Sequence, residues 1–322
     1  MTVALISHTD CTLHEMGQGH PESPDRLFAI QDLLISSRLD AVLPRYDAPL
    51  VTREQLTKVH DPAYVDRIFR VAPQTGYVAL DPDTLMCSQT LPAALHAAGA
   101  VVQAVDLVMR QVAQQAFCAI RPPGHHAEQG RAMGFCVFNN VAVGVGHALA
   151  HYALERVAVV DFDVHHGNGT EHIFRNDPRV LLCSTFQHPF YPYSPVTNHA
   201  HLVEVPLAAG TSGDTYRQLF KTEVLPALER FQPELILLSA GFDAHREDPL
   251  GGLQLDESDY AWITRQVQDV ANRFAAGRIV SVLEGGYALN ALARSVVAHL
   301  QILATDCAPK GHHEIARGNA PG

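Results

Sequence analysis

Short apolar runs alternate with long amphipathic stretches along most of this chain of 322 residues. Runs rich in valine, isoleucine and leucine predict strands at 3–7, 116–120, 157–161, 180–185, 235–240 and 279–283. Apolar residues at helical spacing predict helices at 24–36, 62–71, 91–111, 140–154, 215–231, 257–275 and 289–303. Continuous apolar runs of strand length are typical of strands that are covered on both faces. The alternation therefore predicts an α/β fold in a single domain, with a doubly wound, mainly parallel sheet flanked by helices.

The composition indicates a globular chain without a basic surface. Hydrophobic residues make up 47% and charged residues 18%, so the chain can bury a sizeable core. Lysine and arginine (23) against aspartate and glutamate (34) leave a formal net charge of −11. This balance argues against a nucleic-acid partner, because nonspecific binding to nucleic acid needs a basic face. The oligomeric state is not indicated by the sequence.

Three further features bear on the compartment and the domain limits. The six cysteines are scattered without a CxxC pair, which fits a reducing compartment better than a disulfide framework. We find no signal-peptide pattern at the N-terminus and no apolar stretch of transmembrane length, so we expect a cytoplasmic protein without a membrane partner. Residues 308–322 are rich in glycine, proline and alanine, and we expect them to form a flexible tail behind a domain over 1–307.

Histidine, aspartate and tyrosine residues follow four of the predicted strands at the point where each strand ends. In chain order they are His125 and His126, then Asp161, Asp163, His165 and Asn168, then Asp243, and finally Tyr287. Because ligands bind at the carboxyl ends of the strands in an open α/β sheet, we expect these side chains to share one edge. The pattern predicts a functional site there.

A metal ion is the first ligand that this group predicts. Asp163 and His165 are two residues apart, so in extended chain both side chains leave the same face. With Asp243 they make two oxygen ligands and one nitrogen ligand, and three protein ligands plus an open position are typical of catalytic zinc. Two carboxylates make the site hard enough that Fe²⁺ or Co²⁺ are alternatives to Zn²⁺.

The two adjacent histidines predict acid–base chemistry next to that metal. A general base needs an imidazole that titrates near neutrality, and its hydrogen-bond partner sets that value. Asp161 is able to favour the protonated form of one histidine, and Asn168 is able to orient the other while leaving it neutral. Tyr287 follows two glycines, and its hydroxyl is a suitable hydrogen-bond donor to an oxyanion.

Five segments carry a resemblance to a known family. They read RPPGHHA, GFCVFNN, DFDVHHGNGT, SAGFDAHREDPLG and LEGGY, in that order. In this order they resemble the histone deacetylase family, and His20 to Pro24 with Arg26 resembles its N-terminal loop. HHGNGT and GFDAH resemble the class II and bacterial deacetylase-like branch. The resemblance implies an arginase-deacetylase fold, a catalytic domain, a zinc ion and hydrolysis of an N-acetyl-lysine-type amide.

The resemblance also implies roles for individual residues. Asp163, His165 and Asp243 would be the zinc ligands, and Tyr287 would donate a hydrogen bond to the acetyl carbonyl. His126 would be the general base, supported by Asn168. His125, supported by Asp161, would be the electrostatic partner or the proton donor. His166 and His245 adjoin the expected ligands, and we expect them to make supporting hydrogen bonds.

Two potassium sites and an acyl tunnel are implied in the same way. The first potassium site would use the carbonyls of Asp161, Asp163 and His165, the Ser184 hydroxyl and the Thr185 carbonyl, and the second would use Phe174, Asp177 and Val180. The residues implied in substrate binding are Gly134, Phe135, Tyr191, Gly286 and Leu250. For Asp83 there are two interpretations, an anchor for the substrate backbone at the rim or a helix cap.

The main hypothesis is thus a deacetylase acting on a peptide or small-molecule acyl amide, and three alternatives stand beside it. The first is an acetylpolyamine amidohydrolase, although Leu250 stands after Asp248-Pro249 where eukaryotic polyamine-selective relatives carry a gatekeeping glutamate. The second is a ureohydrolase, for which HHGNG lacks the extra aspartates of a two-manganese centre. The third is a non-catalytic module that binds acyl-lysine, against which the histidine pair and Tyr287 argue.

Overall fold

An eight-stranded parallel sheet forms the centre of the computed structural model, which describes residues 2–197 and 199–305. Its strands are β1 (Val3–Ser7), β2 (Arg45–Asp47), β5 (Gln115–Cys118), β6 (Val157–Asp161), β7 (Val180–Gln187), β8 (Leu202–Leu207), β9 (Leu235–Ala240) and β10 (Ile279–Leu283), while β3 (Val78–Asp81) and β4 (Thr84–Met86) form a separate antiparallel pair. The strand order is β2-β1-β5-β10-β9-β6-β7-β8. The predicted fold class, a mainly parallel doubly wound sheet, is confirmed.

Helices cover the sheet. They are α1 (Asp25–Ser36), α2 (Arg53–Leu56), α3 (Pro62–Val71), α4 (Thr90–Met109), α5 (Asn140–His151), α6 (Asn168–Phe174), α7 (Gly213–Leu219), α8 (Leu225–Phe231), α9 (Glu257–Phe274) and α10 (Leu289–Leu303). The central strands are buried on both faces, and β6, β9 and β10 are buried along their whole length. This burial explains why their sequences are continuously apolar, as expected for strands between two helical layers.

The predicted helix at 215–231 is wrong as a single regular helix. The structure has α7, a π-helical turn at Phe220–Val224 and then α8. Pro226 lies in the first turn of α8 and has no N–H to donate, so the regular hydrogen-bond ladder is interrupted before it. The backbone widens here, and Leu225 N–H donates to the carbonyl of Phe220.

Helix α4 corrects one expectation about membranes. It is long and apolar enough, by length and composition alone, to cross a membrane, whereas we expected no stretch of that length. Of its most apolar window, 61% is buried, and the helix packs on α5 and β5. A core helix of a parallel sheet protein has this composition because it is covered on most sides. The predicted tail at 308–322 lies outside the described residues.

Candidate active site

Four neighbouring strands carry the predicted site residues. These strands are neighbours in the order β5-β10-β9-β6. The paired histidines follow β5, Tyr287 follows β10 and Asp243 follows β9, while Asp161 is the last residue of β6. Because all four strands are parallel, these segments leave the sheet at the same edge. The structure therefore brings together residues that are separated by more than 100 positions in the chain.

The three predicted metal ligands converge at this edge. Ligand atoms of Asp163, His165 and Asp243 all lie within 4.8 Å of one another. His165 Nδ1 is 3.0 Å from Asp163 Oδ1 and 3.3 Å from Asp243 Oδ2. The side chains of both aspartates are almost completely buried. Two buried carboxylates this close to each other repel unless a cation lies between them.

The hydrogen bonds around these carboxylates fit a bound metal ion. Val164 N–H donates to Asp243 Oδ1, and Gly285 N–H donates to Asp163 Oδ2. Asp243 Oδ2 is buried and has no hydrogen-bond partner in the described part of the chain. A Cβ at position 285 would overlap Oδ2 of both Asp243 and Asp163, so only glycine fits there. The donor set of two carboxylates and one imidazole suits a divalent metal ion.

The charges of the three predicted metal ligands shift the pKa values of Asp243 and His165. Burial, followed by repulsion from Asp163, raises the pKa of Asp243 to about 7. Burial opposes protonation of His165, but the nearby carboxylates of Asp163 and Asp243 outweigh that effect and raise its pKa to about 10. A cation between these ligands would neutralise the carboxylates of Asp163 and Asp243, so that neither Asp243 nor His165 would need to be protonated.

His125 is paired with a carboxylate. Its Nδ1 lies 3.0 Å from Asp161 Oδ2, and its Nε2 lies 3.8 Å from Asp163 Oδ2. Burial favours the neutral ring, but the negative charges of Asp163 and Asp161 outweigh burial and raise the pKa of His125 well above its ordinary value. The Asp161 carboxylate thus favours the protonated form of His125.

His126 has a neutral partner instead. Its Nδ1 lies 2.8 Å from Asn168 Oδ1, and the Asn168 amide donates to Glu128 Oε1 at 3.0 Å. Burial, followed by the positive charges of His125 and His165, lowers the pKa of His126 well below its ordinary value. The two adjacent histidines are thus pushed toward opposite protonation states, with one acidic and one basic ring at the same edge.

Aromatic side chains surround the ring of His126 and the metal ligands. Tyr191 lies edge-on to His126, with ring centroids 5.2 Å apart, and Phe190 stacks on His165 at 5.4 Å. Phe135 meets Tyr287 edge-on at 6.0 Å. Phe135 has a φ of 68°, a left-handed conformation that costs a bulky residue energy. These rings therefore lie around the predicted metal ligands and the histidine pair.

Tyr287 is held beside Phe135 by its own backbone and by a cation. Its N–H donates to Asp248 Oδ2 at 2.6 Å, and the same carboxylate accepts the Leu250 N–H at Oδ1. The Arg26 guanidinium lies 5.0 Å from the ring centroid, and its Nε donates to the Gly286 carbonyl. Asp248 therefore joins the turn that carries the half-buried Leu250 to the turn that carries Tyr287. Burial raises the pKa of the Tyr287 hydroxyl well above its ordinary value, so the hydroxyl remains a donor.

Comparisons with known proteins agree with this geometry. A family model described as a histone deacetylase domain matches residues 20–303. The chain belongs to the histone deacetylase family. It is therefore an enzyme of the amide-hydrolysing type, as the sequence predicted.

The similarity to individual relatives extends over most of this chain. A histone deacetylase-like amidohydrolase of Pseudomonas aeruginosa is 40% identical over 84% of this chain and 73% of its own length. A polyamine deacetylase, HDAC10 of Mus musculus, is 35% identical over 96% of this chain, which spans about half (49%) of that protein. The crystal structure of the HDA15 HD domain superposes with a TM-score of 0.89 and 33% identity, covering 94% of this chain and 89% of that one.

The residues implied at the first potassium site lie together in this deacetylase. Asp161 ends β6 beside Ser184 of β7, and the Thr185 hydroxyl approaches the Asp161 carbonyl at 3.4 Å. Ser184 Oγ is fully buried without a hydrogen-bond partner among residues 2–197 and 199–305. A buried hydroxyl that has no partner is costly, and a cation would satisfy it.

At the second implied potassium site the carbonyls have backbone partners. Asp177 N–H donates to the Phe174 carbonyl, and Val180 N–H donates to the Asp177 carbonyl. Arg179 binds the Asp177 carboxylate at 2.6 Å and lowers its pKa. Carbonyl oxygens have two lone pairs, so these bonds leave room for an ion.

Asp83 lies in the turn between β3 and β4 and does not cap a helix, so the alternative of a helix cap is wrong. Its carboxylate accepts the Gly134 N–H at 3.0 Å and the Thr84 hydroxyl at 2.8 Å. These bonds, a bond with Asp81 and contact with Tyr191 outweigh burial and lower the pKa of Asp83. Asp83 thereby holds the loop of Gly134 beside the His126 ring. A Cβ at position 134 would overlap the His126 ring, and this explains the glycine.

Buried charges behind the site were missed by the sequence analysis. Glu284 accepts the N–H groups of Gly124 and His125 and the Ser239 hydroxyl, and burial raises its pKa to about 7. Glu22 pairs with Arg26 and Arg121, and all three side chains are fully buried. Both glutamates lie within segments that resemble the family, GHPESPDR and LEGGY. Their position in these segments was the feature of the sequence that could have indicated them.

Proposed function

We propose that this enzyme is a zinc-dependent deacetylase that removes acetyl or related acyl groups from N-acyl-lysine-type substrates, releasing acetate and a free amine. The observation that carries the proposal is the pair of adjacent histidines, one paired with Asp161 and one with Asn168, beside Asp163, His165 and Asp243. Family membership alone supports amide hydrolysis but not this substrate. The ligand set favours Zn²⁺, with Fe²⁺ or Co²⁺ as alternatives.

The proposed roles follow from the contacts of each side chain. A bound zinc ion would act as a Lewis acid and bring the pKa of a water molecule to about 7. Neutral His126, oriented by Asn168, accepts a proton at Nε2 because its Nδ1 faces the amide oxygen. Protonated His125, held by Asp161, donates a proton to the leaving amine. The Tyr287 hydroxyl donates a hydrogen bond to the acyl oxygen.

The tunnel residues support a linear acyl-amide substrate. Gly134, Phe135 and Tyr191 surround the approach to the three ligands, and we propose that they contact the acyl chain and the methylene groups of lysine. We propose that Asp83, which is half buried beside them, accepts a hydrogen bond from the substrate backbone. A potassium ion at Ser184 would steady the loop that carries His165. A cytoplasmic location remains our proposal, supported by five buried free cysteines.

Polyamine deacetylation is a second candidate, favoured by the 35% identity with the mouse polyamine deacetylase. Leu250 argues against it, since an apolar side chain at the rim does not attract a second amine. Initial rates on an acetyl-lysine peptide and on acetylputrescine decide between the two candidates.

Metal dependence is tested on the same substrates. The enzyme is stripped with a chelator and reloaded with Zn²⁺, Co²⁺ or Fe²⁺, with His126→Ala as the inactive variant and His151→Ala on the surface of α5 as its matched control. We expect activity only after reloading, and none from His126→Ala. Full activity in the metal-free protein would refute the proposal.

A further inference from the structure

A second group of potential metal ligands lies one residue beyond the predicted zinc ligand His165. His166, Glu171 and Glu204 each offer one atom, and these atoms lie within 4.8 Å of one another. His166 Nε2 is 3.1 Å from Glu204 Oε1 and 3.4 Å from Glu171 Oε2. The side chains are 3%, 2% and 6% exposed for His166, Glu204 and Glu171. Two carboxylates are thus buried around one imidazole.

His166 does not make the supporting hydrogen bonds that we expected from the sequence. Neither ring nitrogen has a hydrogen-bond partner in the described part of the chain, and Glu204 Oε1 has none either. The short distances from Nε2 to the two carboxylates therefore lack the angles of a hydrogen bond. Buried polar atoms that approach one another without bonding are costly, and an ion shared by His166 Nε2 and the two carboxylates would satisfy Nε2 and Glu204 Oε1.

The separations match those of ligands around one ion. For an ion bound at about 2.0 to 2.2 Å, neighbouring ligand atoms lie roughly 2.8 to 3.6 Å apart in tetrahedral or octahedral geometry. The separations of 3.1 and 3.4 Å fall in this range. At the predicted catalytic centre the imidazole–carboxylate separations are 3.0 and 3.3 Å, with the same donor types.

The outer oxygens of both carboxylates are held by one residue, and this aims the inner oxygens at His166. The Thr197 hydroxyl donates to Glu171 Oε1 at 3.2 Å, and its N–H donates to Glu204 Oε2. Among the described residues, the ion pairs of these two carboxylates are with His166 and with no lysine or arginine. Even a protonated His166 would leave one negative charge buried without compensation, whereas a divalent cation balances both.

We propose that His166, Glu171 and Glu204 form a second metal site, which binds a divalent transition-metal ion such as Zn²⁺, Co²⁺ or Mn²⁺. One imidazole and two carboxylates favour these ions over Mg²⁺ and Ca²⁺, which prefer oxygen ligands alone. The site joins the loop after β6, helix α6 and strand β8. Through Thr197 it also holds the segment that carries Phe190 and Tyr191 at the tunnel. Its role is structural, because its ligands link three separate elements and none of them is a predicted catalytic ligand.

Metal stoichiometry tests the second metal site. The protein is loaded with Co²⁺ or Zn²⁺, dialysed and measured by inductively coupled plasma mass spectrometry. We expect two ions per chain in the wild type, one in Glu204→Gln and one in Asp243→Asn, which removes a ligand of the predicted catalytic centre. The control Glu223→Gln, on an exposed part of the π turn, keeps two. Two ions in Glu204→Gln, or one ion in the wild type that Glu204→Gln retains, would overturn the proposal.

A second measurement avoids dependence on a variant that folds poorly. Crystals of the wild-type protein are grown with Co²⁺, and anomalous difference maps are recorded at the cobalt edge. We expect a peak between His166 Nε2, Glu171 Oε2 and Glu204 Oε1, separate from a peak at Asp163, His165 and Asp243. Absence of the first peak at saturating Co²⁺ refutes the second metal site, whether or not the catalytic centre is occupied.

Discussion

Replacing Asn168 by aspartate tests the division of roles between the two histidines. Asn168 Oδ1 lies 2.8 Å from His126 Nδ1 in a buried site, and the amide leaves the charge of the ring unchanged. In Asn168→Asp a carboxylate takes that position and stabilises the protonated ring. An opposite charge within about 4 to 6 Å raises a histidine pKa by roughly 1 to 3 units. The shift corresponds to about 1.4 to 4 kcal/mol.

The sign of the effect on activity follows from the role of His126. A general base works only when neutral, so activity falls as the pH drops through its pKa. Because Asn168→Asp raises that pKa, the acidic limb of the profile moves to higher pH. We expect kcat/KM at pH 6 to fall by about 10-fold or more, with recovery as the pH rises. The assay is the pH dependence of kcat/KM of the zinc-loaded enzyme on an acetyl-lysine peptide.

Glu128 provides a matched control for this experiment. The Asn168 amide donates to Glu128 Oε1, so Asn168→Asp also places two carboxylates 3.0 Å apart. The double variant Asn168→Asp/Glu128→Gln removes this repulsion while keeping the new partner of His126. We expect the double variant to show the same or a larger shift of the acidic limb. An acidic limb that stays in place in both variants, with metal content unchanged, would refute the assignment of His126 as the base.

Three further outcomes are expected. Tyr287→Phe should lower turnover by about 100-fold or more while metal content stays at the wild-type level, since it removes a donor to the oxyanion; turnover within a few-fold of the wild type contradicts that role. Gly285→Ala should lower metal affinity by roughly 10- to 100-fold, because its Cβ overlaps Asp243 and Asp163, and retention of metal after dialysis contradicts this. Leu250→Glu should raise the ratio of kcat/KM for acetylputrescine to that for an acetyl-lysine peptide by about 2- to 5-fold, the effect of an ion pair near the protein surface, with Leu250→Gln as the uncharged control.

Much of the fold was predictable because the apolar runs of the sequence coincide with the buried strands of the structure. Strands β1, β6, β9 and β10 have the predicted limits, since each is a continuous apolar run that ends where polar residues begin. Strand β8 was missed because its sequence LVEVPL contains a glutamate and a proline. That glutamate is Glu204, which is buried at the second metal site that we propose, so its role depends on partners far along the chain.

The site residues at the ends of the strands were predictable because they are polar residues that directly follow apolar strands. Two aspartates and a histidine at adjacent strand ends are too costly to bury without a ligand, and this can be read without coordinates. The partners of those residues were only partly predictable. Asn168 behind His126 follows from resemblance, but the contact of Asn168 with Glu128 and the hydrogen bond from His125 N–H to the buried Glu284 do not.

The sequence by itself determined that the sheet is parallel and that metal-binding and acid–base residues follow its strands, because both properties depend on residues close together in the chain. Only the tertiary structure decided that β5, β10, β9 and β6 are neighbours, and so that the Asp163 carboxylate lies 3.8 Å from His125 Nε2 and Glu284 accepts the His125 N–H. Strand order, and with it the electrostatic field on each histidine, arises from packing between segments that local pattern does not relate.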